Sequence, residues 1–286
     1  MISTQLPIYD SLVHPSFCGQ WKGRSRFPSS TFDDLSKCMQ EANVSAAIAS
    51  TYPSNEIIDH HRYSLKCRTV SDTSGLHINP AYILTVDHIN SGLDILDFIK
   101  RSSLKYGFTS IVKLNSSFIS YNDFSALKMI LHTCFHSLGD KFVLYVCTYP
   151  FSCLSQPKLL DIRPLLDFLS SVKPLIPIVL LHGGTVNLLS TSQYAQHFTN
   201  IYIDISFTIC RYLNSSLFYD LCYLVEYLDQ KVIIGSDHPE YNYQDLRYSI
   251  CSIERHILNV TNLEISQLKL KLFNIMNGNL SNLVPL

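Results

Sequence analysis

The sequence is short of charge. Only 16% of its 286 residues are Asp, Glu, Lys or Arg, and 22 basic against 23 acidic residues leave a net charge of −1. No long block of one sign occurs, and the cluster KGRSR (22–26) reads as a solvated loop. Chains that bind nucleic acid or an acidic membrane usually carry a basic stripe, so neither partner is expected. Glycine is scarce, at 10 residues, and neither a GxGxxG nor a P-loop pattern occurs, which argues against a phosphate cradle. The nine cysteines include no CxxC pair, are odd in number and lie mostly in apolar segments, as at Cys38, Cys134, Cys147 and Cys222. Reduced, buried thiols in a cytoplasmic protein are expected, not a disulfide framework. Apolar runs such as PLIPIVLL fall far short of the roughly 20 residues a bilayer demands. The opening MISTQLPIYD lacks the basic-then-apolar order of a signal peptide.

What the chain does have is apolar residues, 47% of the total. They fall into short Ile/Val-rich runs at 6–13, 44–50, 81–86, 109–114, 141–147, 177–182, 200–206 and 231–236. Most of these runs are continuous, as in strands buried on both faces of a parallel sheet. Segments of helical spacing lie among them, at 32–42, 92–106, 121–139, 158–172, 187–198, 215–228, 243–258 and 264–277. Ser29, Ser30 and Thr31 supply caps before the first, and Arg163–Pro164 marks a break or restart in the fourth. About eight strands alternating with about eight helices, with no linker composition between them, predict one α/β domain over 1–286. The predicted architecture is a (β/α)8 TIM barrel.

In such a barrel the working residues lie at the C-terminal ends of the strands. There the sequence places Asp10 and His14, Asp87 and His88, Lys113 and Asn115, Cys147 and Tyr149, His182, Asp204 and Ser206, and Ser236, Asp237 and His238. Each has a plainer reading: His88 and His238 as hydrogen-bonded loop residues, Cys147 as a small buried hydrophobe, Lys113 as the cap of a barrel layer. His60 and His61, in a polar segment, read as surface residues. Arg24, with Lys22 and Arg26, could meet a substrate carboxylate, although a solvated loop is the simpler assignment.

Four segments together resemble the last third of the amidohydrolase superfamily, in its branch of small metal-dependent hydrolases and decarboxylases. They are PIVLLHGG (177–184), NIYIDIS (200–206), KVIIGSDHPE (231–240) and IMNGNLSNLV (275–284). GFTSIVKLN (107–115) resembles that family's fourth strand. IYDSLVHP (8–15) resembles its opening strand, which normally reads Asp-x-His-x-His-Pro. Aligned on Asp10 and Pro15, His14 is the second histidine of the pair, and Leu12 stands where the first is expected. Cys147 stands where the family has a histidine on strand 5, while His182 and Asp237 match the family's strand-6 and strand-8 residues.

The resemblance implies a divalent metal, zinc above all, that activates water for attack on a small-molecule carbonyl substrate. Asp237 would be metal ligand and general base, and His182 would polarise the substrate or act as acid. Leu12 removes one ligand, which leaves three accounts open. A mixed site of His14, Cys147, His182 and Asp237 could hold zinc. Hydrolysis of an ester, lactone or amide could proceed without metal, with Asp237 as base and His14, His182 and Lys113 polarising the carbonyl. The barrel could also be an inactive scaffold that binds a small molecule or a protein. Non-oxidative decarboxylation is a further option within the family's range. Arg24, Tyr149 and His238 are the candidate substrate contacts, and a homo-oligomer is compatible with all of these accounts.

Overall fold

A computed structural model describes residues 1–19, 30–51, 59–85, 97, 99, 101, 104–116, 119–149, 161–173 and 175–285. The eight strands are β1 (Ile8–Val13), β2 (Val44–Ser50), β3 (His77–Leu84), β4 (Ser110–Asn115), β5 (Phe142–Cys147), β6 (Ile178–Leu181), β7 (Ile201–Asp204) and β8 (Val232–Ile233). All pair in parallel, in the order of the chain. The seam between β8 and β1 is closed by main-chain bonds: Ser11 N to the Ile234 carbonyl (3.1 Å), Asp237 N to Leu12 (3.0 Å) and His14 N to His238 (2.7 Å). The sheet is thus the predicted (β/α)8 ring, and residues just past β8 make this closure.

The main helices are α1 (Phe32–Glu41), α2 (His60–Ser74), α3 (Phe124–Leu138), α4 (Arg163–Ser171), α5 (Leu188–His197), α6 (Leu217–Tyr227), α7 (Tyr243–Val260) and α8 (Ile265–Phe273). Local chemistry sets their starts. Thr31 caps α1 in a reciprocal box with Asp34, and Asn242 does the same for α7 with Asp245. Helix α4 starts at Arg163 with Pro164 in its first turn, where a missing N–H costs nothing. The segment expected as a helix over 92–106 lies mostly outside the described residues, of which Asp97, Ile99 and Arg101 are helical and Leu104–Tyr106 form a short 3-10 turn.

Helix α2 has no counterpart among the predicted helices. Its inward residues are His60, Tyr63, Ser64, Cys67 and Val70, so helical spacing is present without an apolar stripe. His60, expected at the surface, is buried with its ring 5.5 Å from Tyr82, whereas His61 is exposed as expected.

Two apolar layers result. One fills the space between the ring and the helices. The other fills the ring itself, with Leu12, Ile48, Ile111, Tyr145, Val179, Leu181 and Ile233 among its members. Among the described residues no helix is long and apolar enough to cross a membrane.

Candidate active site at the barrel mouth

Polar side chains gather above the inner layer, at the C-terminal ends of the strands. On one side stands His14, just past β1. Its Nδ1 lies 2.7 Å from the carbonyl oxygen of Ser50, which can only accept, so Nδ1 carries the proton. Nε2 then faces Asp237 Oδ1 at 3.2 Å. A neutral ring offers a lone pair to a carboxylate there, so the contact closes only when the two groups share one more proton. Burial raises the Asp237 carboxyl, yet the His14 hydrogen bond and the charges of His182, His14 and Lys113 outweigh it and hold Asp237 below the usual carboxylate range. Burial, with the charge of Lys113, pulls His14 down despite its bond to Asp237. Asp237 is the group we read as ionised, since the positive charges of His182 and Lys113 act on it.

On the other side stand Cys147, the last residue of β5, and His182, just past β6. His182 is held from three directions. Its N–H donates to Asp204 Oδ1 (3.2 Å), its carbonyl accepts from Thr208 Oγ1 (2.7 Å), and its Nδ1 meets the Ser206 carbonyl (3.2 Å). With Nδ1 so engaged, Nε2 is the nitrogen left for the hydrogen bond with Cys147. Burial pushes the Cys147 thiol up, but that bond, the charges of His182 and Lys113, and the Tyr149 N–H hold it below its ordinary value. Burial pushes His182 down, yet Cys147, Asp237 and Asp204 raise it to about 9.

The backbone explains how these side chains reach the mouth. His182, Gly183, Gly184 and Thr185 run at φ 64°, 58°, 77° and 52°, four left-handed residues in succession. A Cβ on Gly183 would come within 2.7 Å of Leu188 Cδ1, and one on Gly184 would collide with the Thr191 side chain. Asp237 (φ 58°) and Phe207 (φ 60°) are left-handed as well. Non-glycine residues held in this region persist only where neighbours fix them, and they concentrate at functional sites.

Two further carboxylates, legible in the sequence only as strand-end acids, form the scaffold. Asp10, fully buried, accepts from Leu12 N (3.1 Å), Ser236 N (3.0 Å) and Ser236 Oγ (2.5 Å), tying β1 to the turn that carries Asp237. Burial raises it to about 7 against those bonds. Asp204, also fully buried, accepts from Ser11, Ser206 and the His182 N–H.

The remaining candidates divide. Lys113 on β4 is buried, and burial lowers its ammonium although Cys147, Asp237 and Asp204 all attract it. It therefore lies within electrostatic reach of both pairs. Tyr149 is half-buried beside the site, its ring 6.4 Å from His182 and 5.4 Å from Phe207. His238 turns elsewhere, with Nε2 2.8 Å from Ser30 Oγ and its ring stacked on Tyr243. Arg24, Asp87 and His88 lie outside the described residues.

The fit of these side chains to a metal is poor. Among the described residues no three His, Cys, Asp or Glu side chains group as metal ligands. The four-donor set expected from the sequence divides into His14–Asp237 and Cys147–His182, with the Lys113 ammonium acting on both.

No protein-family model and no curated protein matches the sequence. Solved structures do. An uncharacterised TIM-barrel protein from Bordetella bronchiseptica superposes with a TM-score of 0.66 at 13% identity, over 97% of this chain and 98% of its own. A protein described as a 2-pyrone-4,6-dicarboxylic acid hydrolase from Pseudomonas putida gives 0.61 at 14%, over 98% and 97%. A 2,6-dihydroxybenzoate decarboxylase from Rhizobium gives 0.59 at 12%, over 97% and 98%. At such identities the likeness speaks to the fold alone, and the chain has the (β/α)8 barrel fold of these proteins.

Proposed function

We propose that the chain is a hydrolase of small carbonyl compounds, esters or lactones first, working by water attack without a resident metal. The observation that carries this reading is the buried His14–Asp237 contact, 3.2 Å long and one proton short of closure, at the barrel mouth. Such a pair is a proton acceptor waiting for a donor. Water placed against it loses a proton to the pair as its oxygen attacks the carbonyl carbon. Lys113 supplies a fixed positive charge for the oxyanion that develops, in a site where burial strengthens the interaction. His182, charged below about pH 9, returns a proton to the leaving alkoxide. Tyr149 and Phe207 form an apolar wall beside that ring. Arg24 remains the candidate for a substrate carboxylate.

The likeness to a 2-pyrone-4,6-dicarboxylic acid hydrolase supports a lactone, because a 2-pyrone is a cyclic ester. The likeness to a decarboxylase favours a second reading, loss of CO2 from an aromatic acid.

The test is turnover by chelator-treated protein. A panel of lactones and aryl esters should be hydrolysed with no added metal, and turnover should fall as the pH rises through about 9, where His182 loses its proton. Activity that vanishes with chelator and returns with zinc would overturn the metal-free reading. Release of CO2 from dihydroxybenzoates with no ester turnover would favour the lyase.

A further inference from the structure

We infer that His132 and His136 form a chelating site for a divalent transition-metal ion on the outer face of α3, apart from the barrel mouth. The inference is independent of the hydrolase reading. Leu127, Leu131, Cys134 and Leu138 bury one face of this helix (Phe124–Leu138). His132 and His136 are exposed on the opposite face, four residues apart, where successive turns bring side chains together. Their rings meet there. Nε2 of His136 lies 3.1 Å from Nε2 of His132, with the ring centroids 4.2 Å apart and the planes at 60°. That separation is the one a metal asks of two imidazoles. Zinc–imidazole bonds of about 2.0–2.1 Å put two nitrogens about 2.9 Å apart at a right angle and about 3.3 Å apart at the tetrahedral angle. The observed 3.1 Å falls between the two, so both donors reach one ion with the helix unchanged.

As a hydrogen bond the contact holds one proton between the two nitrogens, one Nε2 donating and the other accepting. An ion takes the place of that proton. The donating ring moves its proton from Nε2 to Nδ1 through solvent, and both neutral rings then turn an Nε2 lone pair to the metal. Two imidazoles fill two coordination positions, and water fills the rest. Imidazole nitrogen selects nickel, copper and zinc over magnesium and calcium, which take oxygen ligands. Exposed His61 and His197 have no second histidine three or four residues away, so each offers a single donor. The spacing of His132 and His136 exists only while α3 is helical. The ion therefore binds the folded chain in preference to the unfolded one and stabilises it.

The experiment titrates the full chain, free of any affinity tag, with nickel chloride in a calorimeter. Diethyl pyrocarbonate labelling and peptide mapping then locate the ion. Wild type should bind nickel with His132 and His136 protected from the reagent, while His61 and His197 stay reactive. His132→Gln and His136→Gln keep a polar side chain that suits a helix. Either one should weaken this binding at least about tenfold, because the second donor no longer acts at high effective concentration. Nickel should also raise the urea midpoint of wild type and leave that of the double variant unmoved. Wild type that takes up no nickel overturns the inference. So does a double variant that takes up nickel as wild type does, which would put the ion elsewhere on the chain. Neither result bears on the hydrolase reading.

Discussion

The two ends of the barrel handle buried polarity in opposite ways. At the N-terminal end, Arg247 on α7 donates to the carbonyls of Ser3 (2.6 Å), Leu6 (2.8 Å) and Ala42 (3.0 Å). One turn or two further along the same helix, Glu254 accepts from Ile2 N (2.6 Å) and Ser3 N (3.1 Å). These charged groups end on main-chain partners and, for Glu254, the Ser3 hydroxyl as well, and they hold the first residues and the entry to β2 against the helix. At the C-terminal end, side chains meet side chains instead, acid to imidazole and thiol to imidazole, on left-handed backbone. A charge that ends on the backbone has no proton to exchange and fixes structure. A charge that ends on a second titratable group can exchange one, and the backbone there is held in a sparsely populated conformation. In barrels generally the lower face reads as stability and the upper face as chemistry. Here that division is visible in the partners of Arg247 and Glu254 at one end and of Asp237 and His14 at the other.

Substitutions at the two ends should therefore fail differently. Replacing Lys113 with Met at the mouth removes the fixed cation and should lower ester turnover by about 10²–10³-fold with the chain still folded, read by steady-state kinetics beside circular dichroism. Arg247→Met at the base should do the reverse. It strands several carbonyls and should cost about 2 kcal/mol in a urea titration, with turnover per folded molecule unchanged. Gly184→Ala blurs the distinction, because the added methyl meets Thr191 in the turn that carries His182. It should cost about 1–2 kcal/mol and also lower turnover. The smallest effect is a slope. The Asp10 carboxyl is raised from 3.8 to about 7, so between those values the folded chain holds a proton that the unfolded chain has released. Its contribution is complete below about pH 4 and is lost as the pH rises through about 7. Asp10→Asn should flatten that fall, seen as urea midpoints that change less between about pH 5 and pH 7 than those of wild type.

Most of the ring was legible in the sequence because continuous apolar runs have one good explanation in an alternating chain. Strand β2 spans 44–50 as read, β4 is shifted by one residue, and β5 starts one residue later. Strand β3 begins earlier than the apolar run suggests. It takes in His77, Asn79 and Pro80, and Asn79 replaces apolar burial with bonds to the Thr109 main chain on both sides, 3.0 Å each. Helix α2 escaped because its buried face is built from His60, Tyr63, Ser64 and Cys67. At the mouth the residue types were legible but the pairing was not. Which acid meets which imidazole depends on the left-handed turns at His182 and Asp237, and no hydrophobic pattern encodes a positive φ at a non-glycine residue. Leu12, expected as the place of a missing histidine ligand, lies in the apolar filling of the ring, which accounts for an aliphatic side chain there.

The most direct test of a mouth that activates water with its own side chains is the steady-state rate of ester hydrolysis by chelator-treated Asp237→Asn beside chelator-treated wild type. Loss of about 10²–10⁴-fold in the variant, at unchanged folding, is the expected result. Equal rates in the two proteins would contradict the account.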